Sequence, residues 1–350
     1  MKFAKRLTAL ALASVMSMSL TACGRNSGNK GPANAGQENT DSSSVVTIDI
    51  GHVEAEDRST HQALVKYFKE PVEKNSNGSI QVVIHPNSSL GGDSELTESV
   101  AMGTLEAALP STSVLVAYDA RFGIMDMPWL FNNAEQSFAA MDGDLGEYFN
   151  QQLENVGIHS LGYSYNGLRS MTNSARPITC PDDLKGLKMR VMENQVFIDF
   201  FNTLGASATP MSFSELFTGL QQHTVDGQEN PPSLIYATKF QEVQKYLSVT
   251  EHVNNFLGFI MNKDFFDNKL TAEQQTIVSE AAAEFVKEQR AMELKDTDLY
   301  VKKLEEEGME VNYLSDDQKN EFKAALAPMY EKYRGEFGNE LFDMADKYNK

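Results

Sequence analysis

Only two cysteines, Cys23 and Cys180, occur in 350 residues. A dense disulfide framework is therefore excluded, and stability has to come from a hydrophobic core. Missing too are the arrangements that carry common chemistries. There is no HExxH and no CxxC, and His52, His61, His85, His159, His223 and His252 are scattered, so neither a metal nor another cofactor is expected. No Walker loop or GxSxG elbow is present. Glu229 near Asp226 is a short-range pair on what reads as a turn, which does not make a catalytic pair. Positive charge is scarce: 30 Lys and Arg stand against 49 Asp and Glu, a net charge of −19. It becomes −22 once Lys2, Lys5 and Arg6 of the first 22 residues are removed. Such a surface repels nucleic acid and anionic lipid, and neither is an expected partner. An anionic ligand would have to meet local, enclosed positive charge.

What is present begins at the N-terminus. Lys2, Lys5 and Arg6 precede an uncharged stretch from Leu7 to Ala22, shorter than the roughly 20 apolar residues of a bilayer span, so residues 1–22 read as an export signal. It ends Leu20-Thr21-Ala22-Cys23, which resembles a bacterial lipoprotein box. On that reading Cys23 is lipidated and the protein is tethered at the outer face of the cell membrane or in the periplasm. An ordinary cleaved signal with an incidental cysteine is the competing reading. Residues 23–44, rich in Asn, Gly and Ser, then form a flexible tether, and Cys180 is left without a disulfide partner.

From Val45 onward strand and helix patterns interleave, the mark of an α/β protein. Val45 to Gly51 alternates as a strand and is followed by a helical pattern through Ala63, Leu64, Tyr67 and Phe68. Ile80 to His85 is a second strand, stopped by Pro86, and Ile158 to Tyr165 a later one. Thr271 to Glu307 is strongly helical, with Ile277, Ala281, Phe285, Val286 and Ala291 on its apolar side, and Pro328 interrupts a final helix pair. Ser94 to Glu106 can also be laid over Ser214 to Asp226 at a constant offset, which suggests one helix–turn–strand unit in each of two lobes. Loops at such strand ends face a shared cleft, where α/β proteins commonly hold ligands.

The segment Lys185 to Tyr246 carries the chemistry. Leu187, Met189 and Val191 mark one buried face of a strand, so Lys188 and Arg190 point to the opposite face, which is either solvent or cleft. A buried guanidinium needs an anionic partner, which makes Arg190 a candidate ligand clamp. Its fork matches a carboxylate with two parallel hydrogen bonds, which lysine cannot do. Arg169 follows Asn166-Gly167, a turn that could aim it into a cleft, although local sequence favours a solvated arginine at a strand end. Asp226 to Pro231 reads as a turn in which Pro231 restricts Asn230 to extended conformations before ligand arrives.

NGLR followed by TNSARPI, DLKGLKMRV, LGASATPMSFSELF, VDGQENP and EVQKYLSVTEH stand in one order. In these words the chain, from about Val45 to its end, resembles the solute-binding proteins of tripartite ATP-independent periplasmic (TRAP) transporters. The resemblance implies a two-lobed, periplasmic-binding-protein-like α/β fold with a ligand cleft between the lobes and a long C-terminal helix. Residues 45–166 with 256–295 would form one lobe, and 167–255 with 296–350 the other. By the same resemblance Arg190 pairs with a substrate carboxylate, Arg169 lies near the ligand, Asn230 is a pocket asparagine, Phe213 packs on the ligand and Glu193 addresses its hydroxyls. In the first lobe Leu109-Pro110-Ser111-Thr112 carries no acid, which disfavours an amino-sugar acid. Ser111, Thr112, His52 and Asp93 are the hydroxyl contacts weighed there against roles as turn, cap or core residues. Neutral and acidic groups around one clamp suit a hydroxylated monocarboxylate, and the words TNSARPI and KYLSVTEH are most similar to uronate-type members. The expected function is capture of a hexuronate, such as glucuronate or galacturonate, for a TRAP membrane permease. A C4-dicarboxylate or aldonate is the alternative ligand, and an exported sugar-acid enzyme or a sensory binding protein the alternative class.

Overall fold

The computed structural model describes residues 45–349. The expected export signal, Cys23 and the tether lie outside the described residues. The strands are β1 (Val46–Gly51), β2 (Ile80–His85), β3 (Ala107–Ala108), β4 (Ile158–Asn173), β5 (Lys188–Val191), β6 (Ser207–Pro210), β7 (Gly227–Asn230), β8 (Tyr246–Asn262) and β9 (Glu310–Tyr313). The helices that position the site are α1 (Asp93–Met102), α2 (Gln195–Thr203), α3 (Phe213–Gln221), α4 (Pro232–Ala237), α5 (Ala272–Glu306), α6 (Asp316–Ala325), α7 (Ala327–Phe337) and α8 (Asn339–Asp346).

The strand order is β2-β1-β3-β8-β4-β7-β5-β6, with β9 added beside β8. Read from either end it has the same logic: two parallel outer strands, a short strand, then a long antiparallel one. The long strands β4 and β8 have 16 and 17 residues and run through both halves. In the first half Ile158 to Tyr165 pairs with Asn262 to Phe256, and β3 pairs with β8 at Met261 and Ile260. In the second, Ser170 to Asn173 pairs with β7, while β9 pairs with Tyr246 to Val249. This is the two-lobed α/β architecture, with β4 and β8 as the crossovers.

Two expected turns are strands. Tyr165 does not end β4, because β8 offers an antiparallel partner along its whole length. Asn166-Gly167 is instead the site of a register shift between Tyr165 and Gly167, with Gly167 at φ 123°. A bulge of this kind bends a strand and re-aims the side chains after it, here Arg169. Gly227 to Asn230 forms β7, between β4 and β5, with all four residues buried. Its polar composition disguised it: Gln228 Nε2 donates to Thr172 Oγ1 at 2.8 Å and Asn230 Nδ2 to Gln228 Oε1 at 2.6 Å, so these groups are satisfied inside the sheet.

The repeated unit is present at its full length. α1 and α3 begin 120 residues apart, and so do β3 and β7. Both helices are followed by a left-handed residue, Gly103 (φ 73°) and His223 (φ 56°).

α5 is continuous over 35 residues and serves both lobes. Its N-terminal part packs Val278, Ala282 and Phe285 with Ile48, Ile50, Phe68 and Phe259, and its C-terminal part packs Val301 and Leu304 with Leu216, Leu220 and Phe240. Between them the buried face turns polar. Ala291, expected on the apolar side, is exposed, while Gln289, Arg290 and Glu293 are buried. The reason lies in the bulged strand beneath. Gln289 accepts from Tyr165 N and donates to Tyr165 O, both at 2.7 Å, and Arg290 Nε donates to Tyr163 O at 2.9 Å, satisfying backbone groups of β4. α7 carries Pro328 in its first turn, where the missing N–H costs little. On the other face of the sheet, Tyr333 of α7 and Phe342 of α8 join Phe122, Phe149, Phe197 and Phe200 in a third core.

Candidate functional site

Between the lobes lies a narrow cavity with only about 20 Å³ of free space, lined by Val53, Glu54, Asp93, Ser111, Asn166, Arg169, Arg190, Met192, Phe213, Asn230, Leu234 and Leu257. Six residues singled out in the sequence meet here: Arg190, Arg169, Asn230, Phe213, Ser111 and Asp93. The pseudo-symmetry explains part of that convergence, since Asp93 opens α1 and Phe213 opens α3.

Arg190 is 2% exposed and sits on β5, where Met189, Arg190 and Val191 are all buried. The face opposite Met189 is therefore cleft. Nε and Nη2 of Arg190 donate to Met211 O at 3.0 and 2.7 Å, which fixes the plane of the guanidinium and leaves Nη1 outside these bonds. Arg58, Arg169 and Arg290, the other buried arginines, each have a carboxylate within ion-pair distance. Arg190 has none among the described residues. Burial, with Arg169 acting in the same sense, draws its pKa down to about 10, while Glu229, Asp93 and Glu193 oppose. It is a charged, buried, pre-oriented fork.

Arg169 is also buried, which corrects the expectation of a solvated strand end. Its Nε and Nη2 grip the Glu229 carboxylate, Nη2 also reaches Glu229 O at 2.6 Å, and Nη1 donates to Asn255 Oδ1 at 3.1 Å. Burial pushes the Glu229 carboxyl up, but Arg169 and His252 more than offset it and hold the group below its ordinary value. The charge of Arg169 is thus balanced, and Arg190 is the cavity-lining arginine that has no ion-pair partner among the described residues.

The opposite wall, from the first lobe, is acidic. Asp93 accepts from Ser111 N at 3.0 Å, and burial pushes its pKa up to about 6. Glu54 pairs with Arg58 at 3.0 Å, and Arg58 also meets Glu293 at 3.3 Å and Asn166 Oδ1 at 2.9 Å. Ser111 Oγ and Ser113 Oγ accept from Asn255 Nδ2 at 3.1 and 3.2 Å, and Ser113 Oγ donates to Asp126 at 2.6 Å. Asp126 also accepts from Asn194 Nδ2 of the second lobe at 2.7 Å, and burial pushes its pKa up to about 7.

The remaining expected residues do not line the cavity. Glu193 is exposed and accepts from Ser94 Oγ at 2.8 Å, so it bridges the lobes at the rim and its neighbour Met192 faces inward. His52 is buried against His61 at 3.0 Å, and burial lowers its pKa to about 4. Thr112 Oγ1 donates to Phe256 O at 3.3 Å. Glu54, Arg58, Asn166, Asn255 and Glu293 escaped the sequence reading. The Glu54 to Arg58 spacing of four is a local signal that could have found two of them.

The protein-family model described as bacterial extracellular solute-binding protein, family 7 (DctP), matches residues 50–336. The fold is similar to that of the sugar acid binding protein DctPAm from Advenella mimigardefordensis strain DPN7T in complex with galactonate, with 35% identity, 87% of this chain and 99% of that one covered, and a TM-score of 0.84. It is similar to a TRAP periplasmic solute-binding protein from Sulfitobacter sp. NAS-14.1 with bound beta-D-galacturonate, at 31% identity, covering 87% and 99%, with a TM-score of 0.80. A third, from Shewanella oneidensis with bound succinate, is 29% identical over 87% and 99%, with a TM-score of 0.83.

Proposed function

The chain belongs to the family 7 bacterial extracellular solute-binding proteins, the solute-binding components of TRAP transporters, and from that membership we propose that it captures a hexuronate, such as glucuronate or galacturonate. As a member it is a transport protein for small organic acids and not an enzyme. The observation that carries the ligand reading is Arg190: a buried, oriented guanidinium without a carboxylate partner among the described residues, facing a wall that bears Asp93 and Glu54.

A carboxylate placed at Nη1 would gain charge-assisted hydrogen bonds of roughly 1.5–3 kcal/mol each and give the guanidinium an ion-pair partner. The far end of the ligand would meet acidic and amide oxygens. Hydroxyl groups can donate to these, whereas a second carboxylate would be repelled. That asymmetry favours a hydroxylated monocarboxylate over a dicarboxylate. Arg190, Arg169, Asn230, Phe213, Ser111 and Asp93 are the proposed contacts, with Glu193 and His52 acting from the rim and from behind the wall.

In this proposal one lobe comprises residues 45–166 and 256–295, the other 167–255 and 296–350. They close about the bulged middles of β4 and β8, and the loaded form delivers its cargo to a TRAP membrane permease. A lipid on Cys23 would keep the protein beside that permease. A thermal-shift panel of D-glucuronate, D-galacturonate, D-galactonate, succinate and neutral hexoses tests the reading. A hexuronate at about 100 times its dissociation constant adds roughly 2.7 kcal/mol. Stabilisation by succinate with none by any hexuronate would refute it.

A further inference from the structure

Gly92 occupies the N-cap of α1, a position where Ser, Asp or Asn would normally satisfy a free helix amide. Its backbone gives no reason for glycine. With φ at −82° it lies in a region open to every residue, unlike its neighbour Gly91 at φ 117°. The reason is steric and comes from the other lobe. A Cβ at position 92 would run into Ser212 Oγ, well inside the 3.0 Å that real Cβ atoms keep, and would stand 2.9 Å from Glu95 Oε2. The glutamate oxygen ends a flexible side chain and can swing away. Ser212 Oγ makes no capping bond to α3; it lies 3.2 Å from Ser214 Oγ, a hydrogen bond that it would have to give up in turning away.

Gly92 and Ser212 are also counterparts. They are the N-caps of the two equivalent helices and are separated by the same 120 residues as the rest of the repeat. The pseudo-twofold axis therefore passes between them, and each lobe presents to the other the same point of its own repeated unit. Two serines at such a point would collide. Beside it, Ser94 donates to Glu193 across the seam.

We propose that Gly92 is a closure-positioning residue: the cleft can shut because one member of this self-facing pair of helix caps has no side chain. The binding proposal is needed only to supply a ligand, and the seam can be tested without it.

Affinities of D-galacturonate, D-galactonate and succinate are measured by calorimetry for the full chain and for Gly92→Ala, Ser212→Ala and the double variant. Gly92→Ala should weaken whichever acid binds by about 5- to 150-fold, the ordinary range for a coupling through a conformational equilibrium. Removing the serine oxygen leaves Ser212 Cβ 3.8 Å from the added methyl, ordinary contact. The double variant should thus return to within about threefold of Ser212→Ala alone. A ligand-independent arm places cysteines at Ser94 and Glu193, with Cys23 and Cys180 replaced by serine, and times their cross-linking by a short bis-methanethiosulfonate. Gly92→Ala should slow it and Ser212→Ala should restore it. Unchanged affinity and cross-linking in Gly92→Ala would overturn the proposal, as would a defect that Ser212→Ala fails to relieve, since loss of a cap or of backbone freedom would persist. If none of the acids binds, the ligand reading fails and the cross-linking rates alone decide the seam.

Discussion

Asp126 offers a quantitative test of how the lobes are held together. It is 1% exposed, and its two oxygens accept from Ser113 of its own lobe and from Asn194, the cap of α2 in the other. Burial raises its pKa from 3.8 to about 7. For an acid with a raised native pKa the folded state binds more protons than the unfolded state between those two values. Stability is therefore full at low pH, falls as pH rises above the unfolded value, and stops falling above about 7. Between pH 5 and pH 8 only the interval up to about 7 contributes, and at about 1.36 kcal/mol per unit the loss is on the order of 2–3 kcal/mol. For a chain of this size that corresponds to a melting temperature lower by about 5 °C. Asp126→Asn keeps the shape of the group and cannot ionise. Calorimetric melting of both proteins at pH 5 and pH 8 should show the wild type losing about 5 °C more than the variant. Asp93, raised to about 6, contributes a slope common to both proteins and cancels in that difference. Parallel pH profiles would refute the assignment of a neutral, lobe-bridging carboxyl at position 126.

Arg58→Ala strands Glu54 and Glu293 in the interior and should cost about 3–5 kcal/mol of stability in denaturant melts, with Glu54→Gln recovering part of it; a loss below 1 kcal/mol would show the cluster to be solvated. Asp93→Asn removes a negative charge from the acidic wall and should raise succinate affinity relative to D-galacturonate at least about tenfold; an unaltered ratio would mean that Asp93 does not discriminate. Trp129, the single tryptophan, lies at the lobe junction, with its N and Nε1 donating to His252 O at 2.6 Å and Thr250 O at 3.3 Å. Its emission should shift on saturation with a bound acid, and constant emission during calorimetrically proven binding would argue against closure at this junction.

Local pattern was enough for β1, β2 and the length of α5, because each is a run whose apolar period is written in consecutive residues. It also drew attention to Arg190, since the alternation through Leu187, Met189 and Val191 left it with Lys188 on a face that had to be explained. It misjudged Arg169. The residue that makes burial tolerable there, Glu229, lies 60 positions away on a strand whose residues look like a turn. Asn166-Gly167 misled for a related reason: a pair that usually turns the chain becomes a bulge when an unbroken partner strand lies alongside. The polar stretch of α5 was invisible because Gln289 and Arg290 answer backbone groups of β4 more than 120 residues earlier. Glu193 was placed by resemblance alone, and the backbone turns it outward to the rim, with Met192 inward.

The most direct measurement is calorimetry and melting of Arg190→Ala side by side, using the acid that binds the wild type most tightly. A carboxylate deprived of its buried partner should lose about 3–5 kcal/mol, between two and nearly four orders of magnitude in dissociation constant. Without added acid the variant should melt no lower than the wild type, because the guanidinium it lacks is desolvated and has no carboxylate partner among the described residues. Affinity reduced by less than tenfold, or a melting point that falls along with the affinity, would contradict a ligand clamp and leave Arg190 as a structural residue.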